Sequence, residues 1–297
     1  MTPDQIAEAA ADCGFHPNGH TIQTETSLLL CGTAQDRPAL AKAPTDARPF
    51  WQQRAQFEIH AYEDLSSAMV SPTLSVRLPA LLGSRHDVPL LIVERLNGSP
   101  CTNARYPKSP PDPALIHSAL TTLDELHHCR FPGRWTDETN YPHHLQSLNL
   151  INKTDIEIYA RLHTWATRRL SAQLHHGDAH LGNFLRLDDG LAVIDLEFLA
   201  LRLPHYDTAA MWVLFGDHRS ARSVLAEYTS EIPEEQAAFW LAAALYTTRE
   251  IVSHRRSCNT HERRRRLPRL VTDLSVCLST LRSLVPRVPR GTNPRCL

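Results

Sequence analysis

Residues 175–183 read His175-His176-Gly177-Asp178-Ala179-His180-Leu181-Gly182-Asn183, and Ile194-Asp195-Leu196-Glu197 follows a short distance downstream. This is the densest gathering of polar side chains in the chain. Between the two stretches, Asn183 to Leu187 and Leu191 to Ile194 flank Asp188-Asp189-Gly190, a turn sequence that predicts a hairpin. The hairpin brings Asn183 and Asp195 together, with Asp178 facing them across a loop. Oxygen donors of this kind suit a hard cation such as Mg²⁺, which takes one or two carboxylates and completes its shell with water and phosphate oxygens. His176 and His180 invite a zinc reading, since four-residue spacing on a helix puts two imidazoles on one face and Asp178 could join them. Gly177 and Gly182 argue against a helix there, and 17 histidines in the chain lower the weight of any one pair. The preferred role of His176 and His180 is to hydrogen-bond the loop and hold Asp178.

Working outward, Thr2-Pro3-Asp4-Gln5 is a capping-box start, so Ile6 to Cys13 is an opening helix that ends at Gly14. Thr26 to Gly32 and Pro38 to Ala43 are apolar runs separated by a polar link, an antiparallel hairpin. Phe50 to Ser66 has helical spacing, and Leu90 to Leu96 reads as a buried strand. Asn97 to Pro113 holds five prolines and a glycine, the best boundary between two lobes, 1–96 and 97–297. Beyond it the chain is mostly helical: Ala114 to His128, Asp155 to Leu170, Asp207 to Phe215 and two long C-terminal stretches.

The 297 residues are 42% hydrophobic and 21% charged, which excludes a disordered or fibrous chain. A net charge of −1 gives no global field to draw nucleic acid or a membrane. The seven scattered cysteines, with no paired spacing, imply reduced thiols, and the N-terminus lacks a secretory signal, so a cytoplasmic location is expected. From Thr208 to Leu297 there are 14 Arg and no Lys against 8 acidic residues, a net of +6. The run Arg263 to Arg266 is read as a solvated helix face, and Phe239 and Trp240 as core.

The pattern H-G-D-x-H-x-x-N with a downstream I-D-L-E resembles the aminoglycoside phosphotransferase and choline kinase family, relatives of the protein kinases. The likeness extends from about Ser27 to Phe215: Ala39-Leu40-Ala41-Lys42 looks like the strand bearing the phosphate-binding lysine, and Glu58 like its partner on the next helix. Leu91-Ile92-Val93-Glu94 resembles the hinge strand, Leu126-His127 the end of the helix before the catalytic region, and Asp207 the aspartate that anchors the following helix. The resemblance implies an α+β, protein-kinase-like two-lobe fold, with a small β-rich N-lobe and a larger helical C-lobe. It implies Asp178 as catalytic base, Asn183 and Asp195 as ligands of Mg²⁺, and Ser27, Lys42, Glu58, Glu94 and Leu96 around ATP or GTP. His176, His180 and Glu197 support them. No G-x-G-x-x-G precedes the lysine strand; the first turn is expected around Gly19 to Thr26, with Gln23-Thr24-Glu25-Thr26-Ser27 as a polar cover. The kinase D-F-G is here D-L-E.

The expected activity is Mg²⁺-dependent transfer of the γ-phosphate of ATP, or GTP, to a hydroxyl of a small natural product or antibiotic. The basic C-terminal segment disfavours a polycationic aminoglycoside, because amine recognition in a partly dry cleft requires carboxylates. A precursor peptide phosphorylated on Ser or Thr is the alternative acceptor. A nucleotide-binding pseudokinase scaffold is a further alternative, opposed by the intact set of Lys42, Glu58, Asp178, Asn183 and Asp195. A metal-dependent hydrolase would need neither Lys42 nor Glu58.

Overall fold

The computed structural model describes residues 1–24, 26–68, 76–129, 135–137, 139–229, 231–256 and 261–285. The chain forms two compact units: one comprises the described residues of Met1–Cys101, Cys129–Phe131 and Asn183–Leu199, the other those of Thr102–His128, Pro132–Gly182 and Ala200–Leu297.

The first unit begins with α1 (Pro3–Ala11), whose capping box is formed by Thr2 and Gln5. It continues through β1 (Phe15–Gln23), β2 (Ser27–Ala34), β3 (Arg37–Pro44), α2 (Pro49–Ala68), β4 (Leu81–Arg85), β5 (Leu90–Glu94) and β6 (Ser99–Pro100). Five of the strands form an antiparallel sheet in the order β1-β2-β3-β5-β4. The small side chains of Ala39, Ala41 and Ala43 alternate into a core with Ile6, Phe15, Leu28, Leu30, Leu90 and Ile92, which puts Lys42 on the other face of β3. The same unit contains the hairpin of β8 (Phe184–Leu187) and β9 (Gly190–Val193), joined by β6 at the edge of β8.

The second unit is helical: α3 (Pro113–His127), α4 (Tyr141–Ser147), α5 (Lys153–Thr167), α6 (Tyr206–Phe215), α7 (Arg219–Glu227), α8 (Pro233–Arg256) and α9 (His261–Leu284). Between α5 and α6 lie β7 (Gln173–His175) and β10 (Ala200–Arg202), paired antiparallel. Helix α6 is buried along its whole length, as is most of α8 from Ala237 to Thr248. Phe239 sits in this core, and Trp212 meets both Phe239 and Trp240 edge-on. Among the described residues no helix is long and apolar enough to cross a membrane.

Several expectations need correction. Gly19 lies inside β1, with a register shift between Pro17 and Thr21, and β1 runs on to Gln23, so the link to β2 begins later than expected; Glu25 lies outside the described residues. The strand expected to reach Leu96 ends at Glu94, and the hairpin's first strand starts at Phe184 because Leu181–Asn183 form a 3₁₀ turn. The arginine run is not a uniformly solvated face. Arg264 and Arg265 are exposed, but the guanidinium of Arg266 stacks on Tyr106 at 4.0 Å and Arg269 pairs with Asp217 and Asp273. The side chain of Arg263 lies outside the described residues, as do Cys258 and Cys296. Cys13, Cys31, Cys101 and Cys277 carry free thiols.

Candidate active site

In the first unit, β3 presents Lys42 toward α2, and Lys42 Nζ donates to Glu58 Oε2 at 2.7 Å and to Asp195 Oδ1 at 2.6 Å. Glu58 is 3% exposed, so its charge is out of water and needs this partner. Burial works against the Lys42 ammonium, but Asp195 and Glu58 outweigh it and hold the group well above the ordinary lysine range. Burial pushes the Glu58 carboxyl up, with Lys42 opposing.

Asp195 follows β9 with φ +68, a left-handed conformation that a non-glycine residue adopts at a cost of roughly 1 kcal/mol or more. The turn is pinned by the Ile194 N–H, which donates to the Asn183 carbonyl at 3.0 Å, so the hairpin does bring the Asn183 backbone beside the residue preceding Asp195. Asp195, Glu197 and Glu58 each offer a carboxylate oxygen, all within 4.8 Å of one another. Arg54 fixes the segment after Asp195: its guanidinium lies 4.8 Å from the Phe198 ring centroid and donates to the Glu197 carbonyl at 3.3 Å.

Ser27, Lys42, Trp51, Glu58, Leu91 and Glu197 line a narrow pocket in this unit. Ser27 is buried, and its N–H donates to Thr24 Oγ1 at 2.9 Å. The Glu94 carboxylate is engaged locally by Arg77 at 3.2 Å and the Ala80 N–H at 3.2 Å. Leu96 is half-buried, and its carbonyl accepts from the Gly98 N–H at 3.0 Å.

In the second unit the loop around Asp178 is built on Asp207. This fully buried carboxylate accepts from the backbone N–H groups of His176 and Gly177, each at 2.8 Å, with His127 at 3.2 Å and His175 at 3.3 Å. Burial raises Asp207, but the hydrogen bonds of His127 and His175 dominate and hold it well below the usual carboxylate range. Gly177 has φ +81, a turn that any side chain would strain. His176 and His180 do not lie on a helix. His176 Nδ1 accepts from the Asp178 N–H at 3.2 Å and His180 Nδ1 from the Gly182 N–H at 3.1 Å.

Asp178 does not stand open. Arg105 grips it bidentately, Nη1 to Oδ2 and Nη2 to Oδ1, both at 2.8 Å. Tyr246 Oη donates to Oδ1 at 2.8 Å and Arg249 Nη2 at 3.0 Å. Arg105 also reaches Glu250 at 2.9 Å, and Glu250 accepts a short hydrogen bond from Tyr106. Burial raises the Asp178 carboxyl, but Arg105 and Arg249 override it and hold the group well below the usual range. Arg105, Tyr246, Arg249 and Glu250 were missed by sequence reasoning. Arg105 lies in the proline-rich stretch taken as a mere boundary, and the others sit on α8, with Tyr246 and Arg249 68 and 71 residues from Asp178. The only signal was the Arg-rich, Lys-free C-terminal composition.

A model of the phosphotransferase enzyme family (APH) matches residues 30–250. No curated protein sequence matches the chain. Among solved structures, ADP-bound aminoglycoside phosphotransferase APH(2'')-Ib superimposes with a TM-score of 0.60 at 20% identity, over 95% of this chain and 99% of that one. Macrolide 2'-phosphotransferase MphH from Brachybacterium faecium gives 0.54 at 18% identity, over 90% and 98%. A choline/ethanolamine kinase family protein from Mesorhizobium loti gives 0.55 at 15% identity, over 94% of each chain. At these identities the likeness is one of fold: the two-lobe kinase-like architecture of a strand-rich and a helical part.

Proposed function

The chain belongs to the phosphotransferase enzyme family, which makes it a nucleotide-dependent kinase, and from that premise we propose that it moves the γ-phosphate of ATP, or GTP, to a hydroxyl of a small natural product or antibiotic. The observation that carries this reading is Lys42, a half-buried ammonium held between Glu58 and Asp195. That is the cation a triphosphate needs, already tied to a carboxylate suited to its metal.

In this reading residues 1–96 form the nucleotide-binding lobe, with Ser27, Glu94 and Leu96 around the base and phosphates, and 97–297 the acceptor lobe. Transfer passes through a loose, in-line transition state, so the protein chiefly positions groups and neutralises charge. The acceptor oxygen bonds to the γ-phosphorus, its proton goes to Asp178, and the bond to the β–γ bridging oxygen breaks, leaving the diphosphate. The hard oxygen donors of Asp195, Glu58 and Glu197, converging within 4.8 Å, fit Mg²⁺. Asn183 and Asp195 would hold it, with Glu197 in support; when bound it neutralises charge on the phosphate oxygens. Lys42 contacts the α- and β-phosphates and Glu58 keeps it aimed.

Relatives named for aminoglycosides and macrolides favour a small-molecule acceptor. The +6 charge of the last 90 residues disfavours a polycation. A Ser or Thr of a precursor peptide is the second reading, favoured by exposed Arg264 and Arg265 on α9, which suit an acidic segment. The complete lysine, carboxylate and amide set argues for turnover over a nucleotide-binding scaffold. A transfer screen with γ-³²P-labelled ATP and GTP, Mg²⁺ and a panel of alcohols and peptides tests the reading: label should move to a hydroxyl. No transfer together with no Mg²⁺-dependent nucleotide binding would refute it.

A further inference from the structure

His60 and Glu63 stand three residues apart on α2, and so on one face of it, and His86 meets them from the turn between β4 and β5. All three belong to the first unit and are separate from the clamp of Lys42, Glu58 and Asp195. Glu63 receives both rings: its Oε2 lies 3.3 Å from His60 Nδ1 and its Oε1 2.9 Å from His86 Nε2. The two imidazoles are stacked, with centroids 4.8 Å apart and an interplanar angle of 30°. One nitrogen from each ring and a carboxylate oxygen thus converge, all within 4.8 Å of one another.

The surroundings decide which nitrogen of His86 carries hydrogen. Gln56 Nε2 donates to the His86 carbonyl at 2.5 Å, which turns Gln56 Oε1 toward His86 Nδ1 at 3.2 Å. An amide oxygen can only accept, so Nδ1 is protonated and Nε2 of the neutral ring is a lone pair. That lone pair faces Glu63 Oε1, which also accepts from Ser84 Oγ at 2.9 Å. Acceptor meets acceptor, and the gap between them calls for a cation. A proton is one filler and makes an imidazolium; a divalent ion is the other, and it takes His60 Nδ1 into the same shell. Two donors each about 2.1 Å from a tetrahedral zinc stand roughly 3.4 Å apart, near the separations found here. A ring whose second nitrogen donates to an oxygen acceptor, as His86 does to Gln56, is held as metal-bound imidazoles are.

We propose that His60 Nδ1, His86 Nε2 and the Glu63 carboxylate form a zinc site that ties α2 to the β4–β5 turn, with the fourth position left to water. The side chains of His60, Glu63 and His86 are 52%, 33% and 46% exposed, so the ion enters without opening the fold. Because α2 also carries Glu58, the ion braces the helix behind the lysine clamp. The proposal does not rest on the phosphotransferase reading.

The test titrates the chelator-stripped full chain with Zn²⁺ in a calorimeter. A saturable binding event should appear that His86→Gln and Glu63→Gln each weaken by tenfold or more. Gln56→Ala removes only the contact that orients His86, and should weaken the same event by about 10- to 100-fold, the scale of such supporting contacts. Melting without metal shows that the variants fold, and Zn²⁺ should raise the melting temperature of the parent but not that of His86→Gln. Absence of saturable zinc binding, which leaves a proton in the gap, overturns the proposal. So does binding that His86→Gln and Glu63→Gln weaken by less than tenfold, as zinc held by thiols or by the group of His127, His175 and Asp207 would behave. The phosphotransferase reading stands under either result.

Discussion

Lys42 Nζ lies 2.6 Å from Asp195 Oδ1, across 153 residues of sequence. This contact welds the lysine strand to the turn after the hairpin, within one compact unit. A lysine charged at neutral pH thus stands beside the carboxylate assigned to the metal, with Glu58 as the second arm of the clamp.

Lys42→Met removes the cation from a clamp whose Glu58 side chain is 4% exposed. Breaking such a pair from one side should cost on the order of 3 kcal/mol, because a buried carboxylate is left uncompensated. Urea unfolding should show this as a lower midpoint. The double variant Lys42→Met, Glu58→Gln should recover part of the loss, since no orphan charge remains.

For Asp195→Ala the expected outcome is loss of Mg²⁺-dependent nucleotide binding. Calorimetric titration with a non-hydrolysable ATP analogue, with and without Mg²⁺, measures it. Affinity that stays unchanged in Mg²⁺ would remove Asp195 from the metal's ligands.

Asp207→Asn keeps the shape of the anchor but halves its acceptors, where both oxygens now serve backbone N–H groups of His176 and Gly177. A buried donor without a partner costs about 1–3 kcal/mol. The variant should melt lower and lose kcat with little change in nucleotide affinity, because the loop carrying Asp178 is loosened.

His175 is fully buried, and burial lowers it from 6.5 to about 4. The folded state therefore holds the neutral ring while the unfolded chain takes up a proton below pH 6.5, so stability falls as pH drops from about 6.5 toward 4. The contribution is roughly 3 kcal/mol over that window. His163 and His205 shift in the same direction, so the diagnostic is a difference. Unfolding free energy plotted against pH should fall less steeply in His175→Gln than in the parent, and equal slopes would contradict the assignment.

The hairpin, the lysine strand and the Asp178 loop were legible because each is written in contiguous residues. Asp188-Asp189-Gly190 names its turn, and Gly177, at φ +81, marks backbone that cannot be helix. Strand β1 was hidden because all but Phe15 of its residues are exposed, and its second half falls in the stretch from Gly19 expected to form the first turn. Helix α4 buries only Leu145, too little for a periodic signal. The guanidiniums on Asp178 were invisible for a different reason. No local pattern ties Arg105 on a loop or Arg249 on α8 to an aspartate about 70 residues away, and only packing of the helical unit assembles them.

In the proposed transfer Asp178 takes the acceptor's proton. Single-turnover transfer from γ-³²P-labelled ATP by Asp178→Asn, with nucleotide affinity measured on the same preparation, tests it most directly. Transfer should fall by about 10²-fold or more, the contribution of a positioned base, with affinity for Mg²⁺-nucleotide nearly intact. Transfer within about tenfold of the parent, below what a general base contributes, would contradict it.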